Sequence, residues 1–190
     1  LHGGGFTGSG EVFLASVVGV EATEDAKVRV LAASTEIGQG TRTVFSQIAA
    51  DALGLECDDI EIAQPDTAAV PNSGPTVASR TVMVVGQLVQ SACIGMKETL
   101  IQGGYLQESY SRSDFLRALS GYLSENGKLK TLAKYKAPKD LVWNDETYEG
   151  DAYATYAWAV YVASVTVDTV TYETVVDDFV ALQEVGKVIN

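Results

Sequence analysis

The chain is 190 residues long, 46% hydrophobic and 20% charged, an ordinary composition for one globular domain or one domain plus part of a second. A net charge of −12 argues against a general affinity for nucleic acid, which needs Lys and Arg to neutralise phosphates, so a bound anion must be held locally. No uninterrupted apolar stretch reaches the roughly 18 residues of a membrane helix, no signal peptide opens the chain, and a soluble, cytoplasmic protein is expected.

Val12 to Glu21 is mostly apolar and β-branched and reads as a strand, broken by Thr23-Glu24-Asp25-Ala26. Val28 to Ala33 is a second short run, and the two together read as a hairpin. After Ser34 to Gly40, the residues Val44, Ile48, Ala49 and Leu53 recur at helical spacing, which predicts a helix from about Thr41 to Leu53. Gly54 stands where a left-handed cap is wanted. Asp59 to Ala63 alternates like a short strand, and Pro65 to Pro75 is a loop. A long apolar helix is predicted from Thr76 or Val77 to about Gln102, ended by Gly103-Gly104. Ser111 to Leu123 reads as an amphipathic helix burying Phe115, Leu116, Leu119, Tyr122 and Leu123, and residues 124–150 as a polar surface excursion. Tyr156 to Val167 and Tyr172 to Val185 are two strong strands joined by a turn near Asp168-Thr169-Val170-Thr171.

The order β-β-α-β-α, a helical insert and a further hairpin predicts a two-layer α+β fold, a mixed sheet with helices on one face. Residues 1–104 are expected to form one unit, 105–150 a helical and polar insert, and 151–190 a hairpin opening a second repeat. The repeat is suggested by Ala33-Ser34-Thr35-Glu36-Ile37-Gly38 and Ala181-Leu182-Gln183-Glu184-Val185-Gly186, which share A-x-x-E-[IV]-G at the end of a hairpin. Neither end reads as a natural terminus, and an internal piece of something larger is expected.

Cys57 and Cys93 lack CxxC spacing and read as reduced thiols, and the single His2 excludes a His-centred triad or His-rich metal site. Gly38-Gln39-Gly40, between strand and helix, lets the backbone turn tightly and approach a ligand. The helix that follows offers N–H groups suited to a phosphate, and Gln39 an amide suited to a heterocycle; plain strand-to-helix architecture is the other reading. Without G-x-x-x-x-G-K-[ST], a P-loop is not indicated. The segment Pro71-Asn72-Ser73-Gly74-Pro75-Thr76-Val77-Ala78-Ser79-Arg80-Thr81 supplies hydroxyls and a small residue around a helix start, where an anionic group is received or the helix is simply capped. Asp58-Asp59 and Asp177-Asp178 read as solvated, and Tyr153, Tyr156, Trp158 and Tyr161 as core or contact residues of a sheet.

Thr35-Glu36-Ile37-Gly38-Gln39-Gly40, the stretch Pro71 to Thr81 and Gly86-Gln87 together resemble the molybdopterin-binding region of the xanthine dehydrogenase and aldehyde oxidase family. The stretches Gly150 to Asp168 and Asp178 to Asn190 resemble its later strands, while residues 105–150 are least distinctive. The resemblance implies that the E-[IM]-G-Q-G turn contacts the pterin through Ile37, Gly38, Gln39 and Gly40. It implies that Thr76, Val77, Ala78, Ser79, Arg80 and Thr81 approach from the other side, Ala78 nearest the metal. Molybdenum in this family is held by pterin sulfurs and non-protein ligands, with or without a cytosine dinucleotide on the pterin. The implied reaction hydroxylates an aldehyde or a purine or other N-heterocycle with water as oxygen source.

Electrons then leave through [2Fe-2S] clusters towards FAD in partner domains or subunits. The family's catalytic glutamate lies in a Gly-Glu motif beyond the matched region and is absent here, as are the earlier loops that complete the pocket. The piece alone is therefore expected to be inactive without the remainder of the large subunit. Arg80, where some relatives carry a small or apolar residue, is expected either to meet a pyrophosphate or substrate carboxylate or to form a surface salt bridge. The competing readings are an unrelated α+β nucleotide-binding module and a structural or subunit-contact domain.

Overall fold

Hydrophobic alternation builds the central sheet. Strands β1 (Val17–Ala22) and β2 (Val28–Leu31) pair antiparallel, joined by a tight turn in which Thr23 and Lys27 exchange hydrogen bonds. The computed structural model describes residues 9–77, 80–140, 142–151 and 156–188, which fall into two units, Leu1–Ala152 and Tyr153–Asn190.

In the first unit a short helix α1 (Ser9–Leu14) precedes β1, and helix α2 (Thr41–Leu53) follows β2. A 3-10 turn (Cys57–Asp59) leads into β3 (Ile60–Ile62). A π-helical turn (Thr81–Gly86) runs into α3 (Gln87–Gln102), followed by α4 (Arg112–Asn126) and β4 (Lys130–Lys134). The sheet order is β3-β2-β1-β4, with β3 parallel to β2 and the other pairs antiparallel. A two-residue hairpin, β5 (Trp143–Asn144) with β6 (Glu149–Gly150), closes the unit.

Period-two alternation decides which face meets the helices. Val18, Val20, Val28, Val30 and Ile60 form one core with Phe45, Ala49 and Leu53 of α2 and Val89, Cys93, Met96 and Leu100 of α3. On the opposite face, paired positions bring Lys130, Glu21, Arg29 and Glu61 into a row of alternating charge, with Arg29 bridging Glu21 at 3.4 Å and Glu61 at 2.9 Å. Such half-exposed pairs contribute up to about 1 kcal/mol each, so the apolar face, not the charged one, holds the layers together.

The expected two-layer mixed α+β fold is therefore observed. Helix α2 occupies the anticipated residues, and Gly54 at φ 66 returns its N–H to the Ala50 carbonyl. Four local expectations are corrected. The helix expected from Thr76 or Val77 is not formed at residues 76–77, and its stretch Thr81–Gly86 is π-helical. Asp59, expected to be solvated, is buried and paired with Arg112. Residues 12–14 are helical, with Val12 and Phe13 exposed and the strand starting at Val17; what α1 buries is Glu11. Residues 130–134 are not a surface excursion but the edge strand β4, whose Thr131 hydroxyl donates to the Ala92 carbonyl of α3. Helix α4 buries Phe115, Ala118 and Leu119, with Leu116, Tyr122 and Leu123 half-buried.

The second unit is a long antiparallel hairpin, β7 (Trp158–Val167) with β8 (Thr174–Glu184), whose turn is held by the Asp168 carboxylate accepting from the Val170 and Thr171 amides. The shared A-x-x-E-[IV]-G pattern has a physical counterpart. Glu36 accepts from the Gly38 amide at 2.8 Å and Glu184 from the Gly186 amide at 2.6 Å, and both glycines have positive φ, 103 and 75.

Candidate functional site

The turn after β2 is built from its own side chains. Gly38 and Gly40 lie at φ 103 and 84, where an L side chain is strained, and open space lies over both. Glu36 Oε1 accepts from the Gly38 amide at 2.8 Å and the Gly40 amide at 3.1 Å, while Oε2 accepts from the Arg42 amide at 3.1 Å. These bonds, Arg42's foremost and Gly40's next, hold the Glu36 carboxyl below its ordinary 4.5. The start of α2 thus carries a resident anion, which takes the Arg42 amide, one of the N–H groups expected to suit a phosphate.

Gln39 is equally occupied. Its Nε2 donates to the Thr35 carbonyl and the Thr41 hydroxyl, both at 2.7 Å, and its Oε1 accepts from the Ile37 amide at 2.7 Å. Both amide N–H groups are spent within the turn, leaving lone-pair capacity on Oε1.

The second loop is anchored from beneath. Arg80 is 1% exposed, and all five of its N–H donors are used. Nε donates to Glu11 Oε2 at 2.9 Å, and Nη2 to Glu11 Oε1 at 2.5 Å and the Ser16 hydroxyl at 2.8 Å. Nη1 donates to the Ser73 carbonyl at 2.9 Å and the Pro75 carbonyl at 2.8 Å. Gly74, at φ 78, leaves the room this needs: a Cβ there would stand 2.8 Å from Nη2. The guanidinium therefore reaches neither a pyrophosphate nor a substrate carboxylate, and its ion pair is buried rather than on the surface. Both expectations for this side chain are corrected.

The two loops converge. The Ser73 hydroxyl accepts from the Ala33 amide at 2.9 Å, and the Thr76 hydroxyl from the Thr35 amide at 2.8 Å. Beside these bonds lies a cleft of about 450 Å³ lined by Ile37, Gln39, Thr41, Val44, Thr76, Val77, Thr81 and Val82, without a charged side chain. Adjacent Thr81 and Val82 line it together, from a π-helical turn of the kind that recurs at functional sites.

Of the residues singled out in the sequence, Ile37, Gln39, Thr76, Val77 and Thr81 line this cleft, and Gly38 and Gly40 flank Gln39 in its turn. Ala78 and Ser79 lie outside the described residues. Thr41, Val44 and Val82 join the lining, unannounced by any motif, because helical spacing marked them only as helix. Glu36, Glu11 and Ser73 support it from behind; Glu36 and Ser73 lie within the two stretches singled out in the sequence, whereas nothing local marked Glu11. A larger groove of about 890 Å³ runs elsewhere, past Glu21, Asp25, Arg29, Glu61 and Lys130, and shares no residue with the cleft.

A two-layer domain whose helix-opening loops meet over a neutral cleft is the class defined so far. The family described as molybdopterin cofactor-binding domain matches residues 2–190, and the chain belongs to that family. It is 32% identical over 127 residues to xanthine dehydrogenase/oxidase of Felis catus, covering 67% of this chain and 9% of that protein. It is 37% identical over 79 residues to the putative xanthine dehydrogenase molybdenum-binding subunit of Escherichia coli (strain K12), covering 41% of this chain and 10% of the relative.

Among solved structures, the aldehyde oxidoreductase of Desulfovibrio gigas superposes with a TM-score of 0.74 at 27% identity, over 93% of this chain and 19% of that one. Quinoline 2-oxidoreductase of Pseudomonas putida 86 gives 0.67 at 25% identity, over 93% and 24%. The chain thus spans about a tenth of the curated relatives it matches. Family membership bears out the resemblance and gives no support to an unrelated nucleotide-binding module. Among the described residues no helix is long and apolar enough to cross a membrane.

Proposed function

We propose that the cleft between the 37–40 turn and the 76–82 segment is one wall of the molybdopterin site of a molybdenum hydroxylase resembling xanthine dehydrogenase. The observation that carries this reading is the hydrogen bond from the Thr35 amide to the Thr76 hydroxyl, 2.8 Å, which joins the two loops at the mouth of one cleft. The lining suits the group. Ile37, Val77 and Val82 offer apolar faces to a flat ring, and Thr41, Thr76, Thr81 and Gln39 offer neutral hydrogen-bonding edges. Among the described residues no group of three His, Cys, Asp or Glu side chains could hold a metal ion. In this reading the metal is carried by the pterin and not by protein side chains.

When bound, the cofactor supplies the redox chemistry that inserts oxygen from water into an aldehyde or a purine-like N-heterocycle. This chain's own part is to seat and orient the pterin and to keep water from its apolar faces. Gly38 and Gly40 leave the approach open, and Glu36 fixes the turn that presents Ile37 and Gln39. The rest of the large subunit completes the pocket and contributes the base. Iron–sulfur and FAD domains or subunits take the electrons.

Molybdenum by plasma mass spectrometry, and pterin by fluorescence after oxidation, measured on the complete subunit from molybdenum-replete cells, test the reading. Both are expected in the wild-type subunit and strongly reduced by Val77→Asp, which places a charge in the neutral cleft. A well-folded wild-type subunit without either would sink it.

A further inference from the structure

Arg80 sits where α1, 69 residues away in sequence, meets the loop and the π-helical turn on either side of it. Its carboxylate partner Glu11 belongs to α1, its two carbonyl partners Ser73 and Pro75 belong to the loop, and its own backbone starts the π-helical turn that supplies Thr81 and Val82 to the cleft. The Glu11 contact is bidentate, and Glu11 and Ser16 are fully buried. An arrangement with every guanidinium donor satisfied by a fixed oxygen has one geometry. Shifting the side chain leaves a charge buried without partners, at a cost far above that of a surface pair.

That geometry propagates. Gripping the carbonyls of residues 73 and 75 sets where the loop backbone runs, and hence where the Ser73 and Thr76 hydroxyls stand. Those hydroxyls take the Ala33 and Thr35 amides, immediately ahead of the turn that carries Ile37 and Gln39. We propose that Arg80 is the positioning residue of the cleft: locked to Glu11, it holds the 73–76 loop in register with the 33–40 turn without touching the ligand. The inference rests on reading that cleft as the cofactor wall.

The experiment uses the complete subunit carrying Arg80→Lys. Lysine keeps the charge opposite Glu11, but its three clustered donors cannot reproduce a planar fork that spans two carboxylate oxygens, a hydroxyl and two carbonyls. Amide hydrogen exchange on cofactor-free subunit is expected to accelerate about tenfold in segments 33–35 and 72–77, with α3 unchanged, because the two loop-joining bonds open more often. Molybdenum content of subunit made in replete cells is expected to fall roughly tenfold, as when supporting partners of a metal site are removed.

Phe115→Ala, a core change outside the cleft, serves as the stability control, lowering the melting temperature without either effect. Wild-type exchange in both segments of Arg80→Lys, or faster exchange with undiminished molybdenum, would overturn the inference. If Arg80→Lys does not fold, Glu11→Gln takes its place, since it lies outside both loops and exchanges one carboxylate acceptor of the guanidinium for an amide N–H. The same two outcomes then decide. A wild-type subunit devoid of molybdenum overturns the proposed function instead, and the exchange data still judge the positioning role.

Discussion

The hydrogen bonds joining the two loops differ in burial, and that difference yields a quantitative test. Ser73 is fully buried and its bond to the Ala33 amide is partly so, whereas the Thr76–Thr35 bond is exposed. Ser73→Ala leaves the Ala33 N–H in a place where water has poor access, which costs about 1–2 kcal/mol, towards the lower part of the range for an unsatisfied buried donor. Thr76→Val keeps the shape and removes the hydroxyl, but the exposed Thr35 N–H can turn to water, so about 0.5 kcal/mol is the expected loss. For a chain of this size each kcal/mol shifts the melting temperature by about 2–4 °C, so the first variant melts several degrees lower and the second hardly moves. Urea titration of both, with the m-value checked to be constant, measures the two free energies directly. A Thr76→Val loss equal to or larger than that of Ser73→Ala would refute the argument from burial.

Three further outcomes follow from the same geometry. The carboxyls of Glu36 and Asp59 are held below their ordinary 4.5 and 3.8, by the Arg42 amide foremost for the one and by the Arg112 side chain for the other. Their stabilisation is complete above those ordinary values and is lost as pH falls through the depressed folded values, so stability measured by denaturant titration should decline progressively below about pH 4.5. Burial pushes the Cys93 thiol up to about 12, while Cys57 is exposed, so a thiol reagent at pH 8 should modify Cys57 alone until the chain is unfolded. Phe45 is 1% exposed in the core between sheet and helices, and Phe45→Ala should cost about 3–5 kcal/mol in the same titration.

Local signals made part of this fold legible. Helix α2 was readable from end to end because its apolar spacing and its αL glycine agree, and α3 stopped at Gly103-Gly104 as the paired glycines indicated. Strand β4 escaped because Lys130-Thr131-Leu132-Ala133-Lys134 turns only Thr131 and Ala133 towards the helices, while its one large apolar residue, Leu132, is 62% exposed. Lysines on an edge strand are what keep such an edge from pairing with another chain, and in a sequence they read as a polar loop. Helix α1 inverted the usual pattern, exposing Phe13 and burying Glu11. The candidate cleft was legible through its two motifs. The role of Arg80 was not, since its acidic partner stands 69 residues away and no local pattern reports so distant a pairing.

What the two loops already satisfy constrains what they can recognise. The Glu36 carboxylate occupies amides at the start of α2, both Gln39 N–H groups are committed, and the five donors of Arg80 are spent on protein oxygens. A ligand entering the cleft therefore need not order the loops, and binding avoids the entropy that ordering them would cost. The same completeness leaves no cation and no charged side chain among the residues lining the cleft. A flat neutral ring can use this wall through its faces and a few lone pairs and hydroxyls, but a phosphate brought against it would lose hydration and meet the Glu36 carboxylate close by. On the proposed reading of this cleft, it takes the ring of the cofactor, and the anionic tail falls to other parts of the protein.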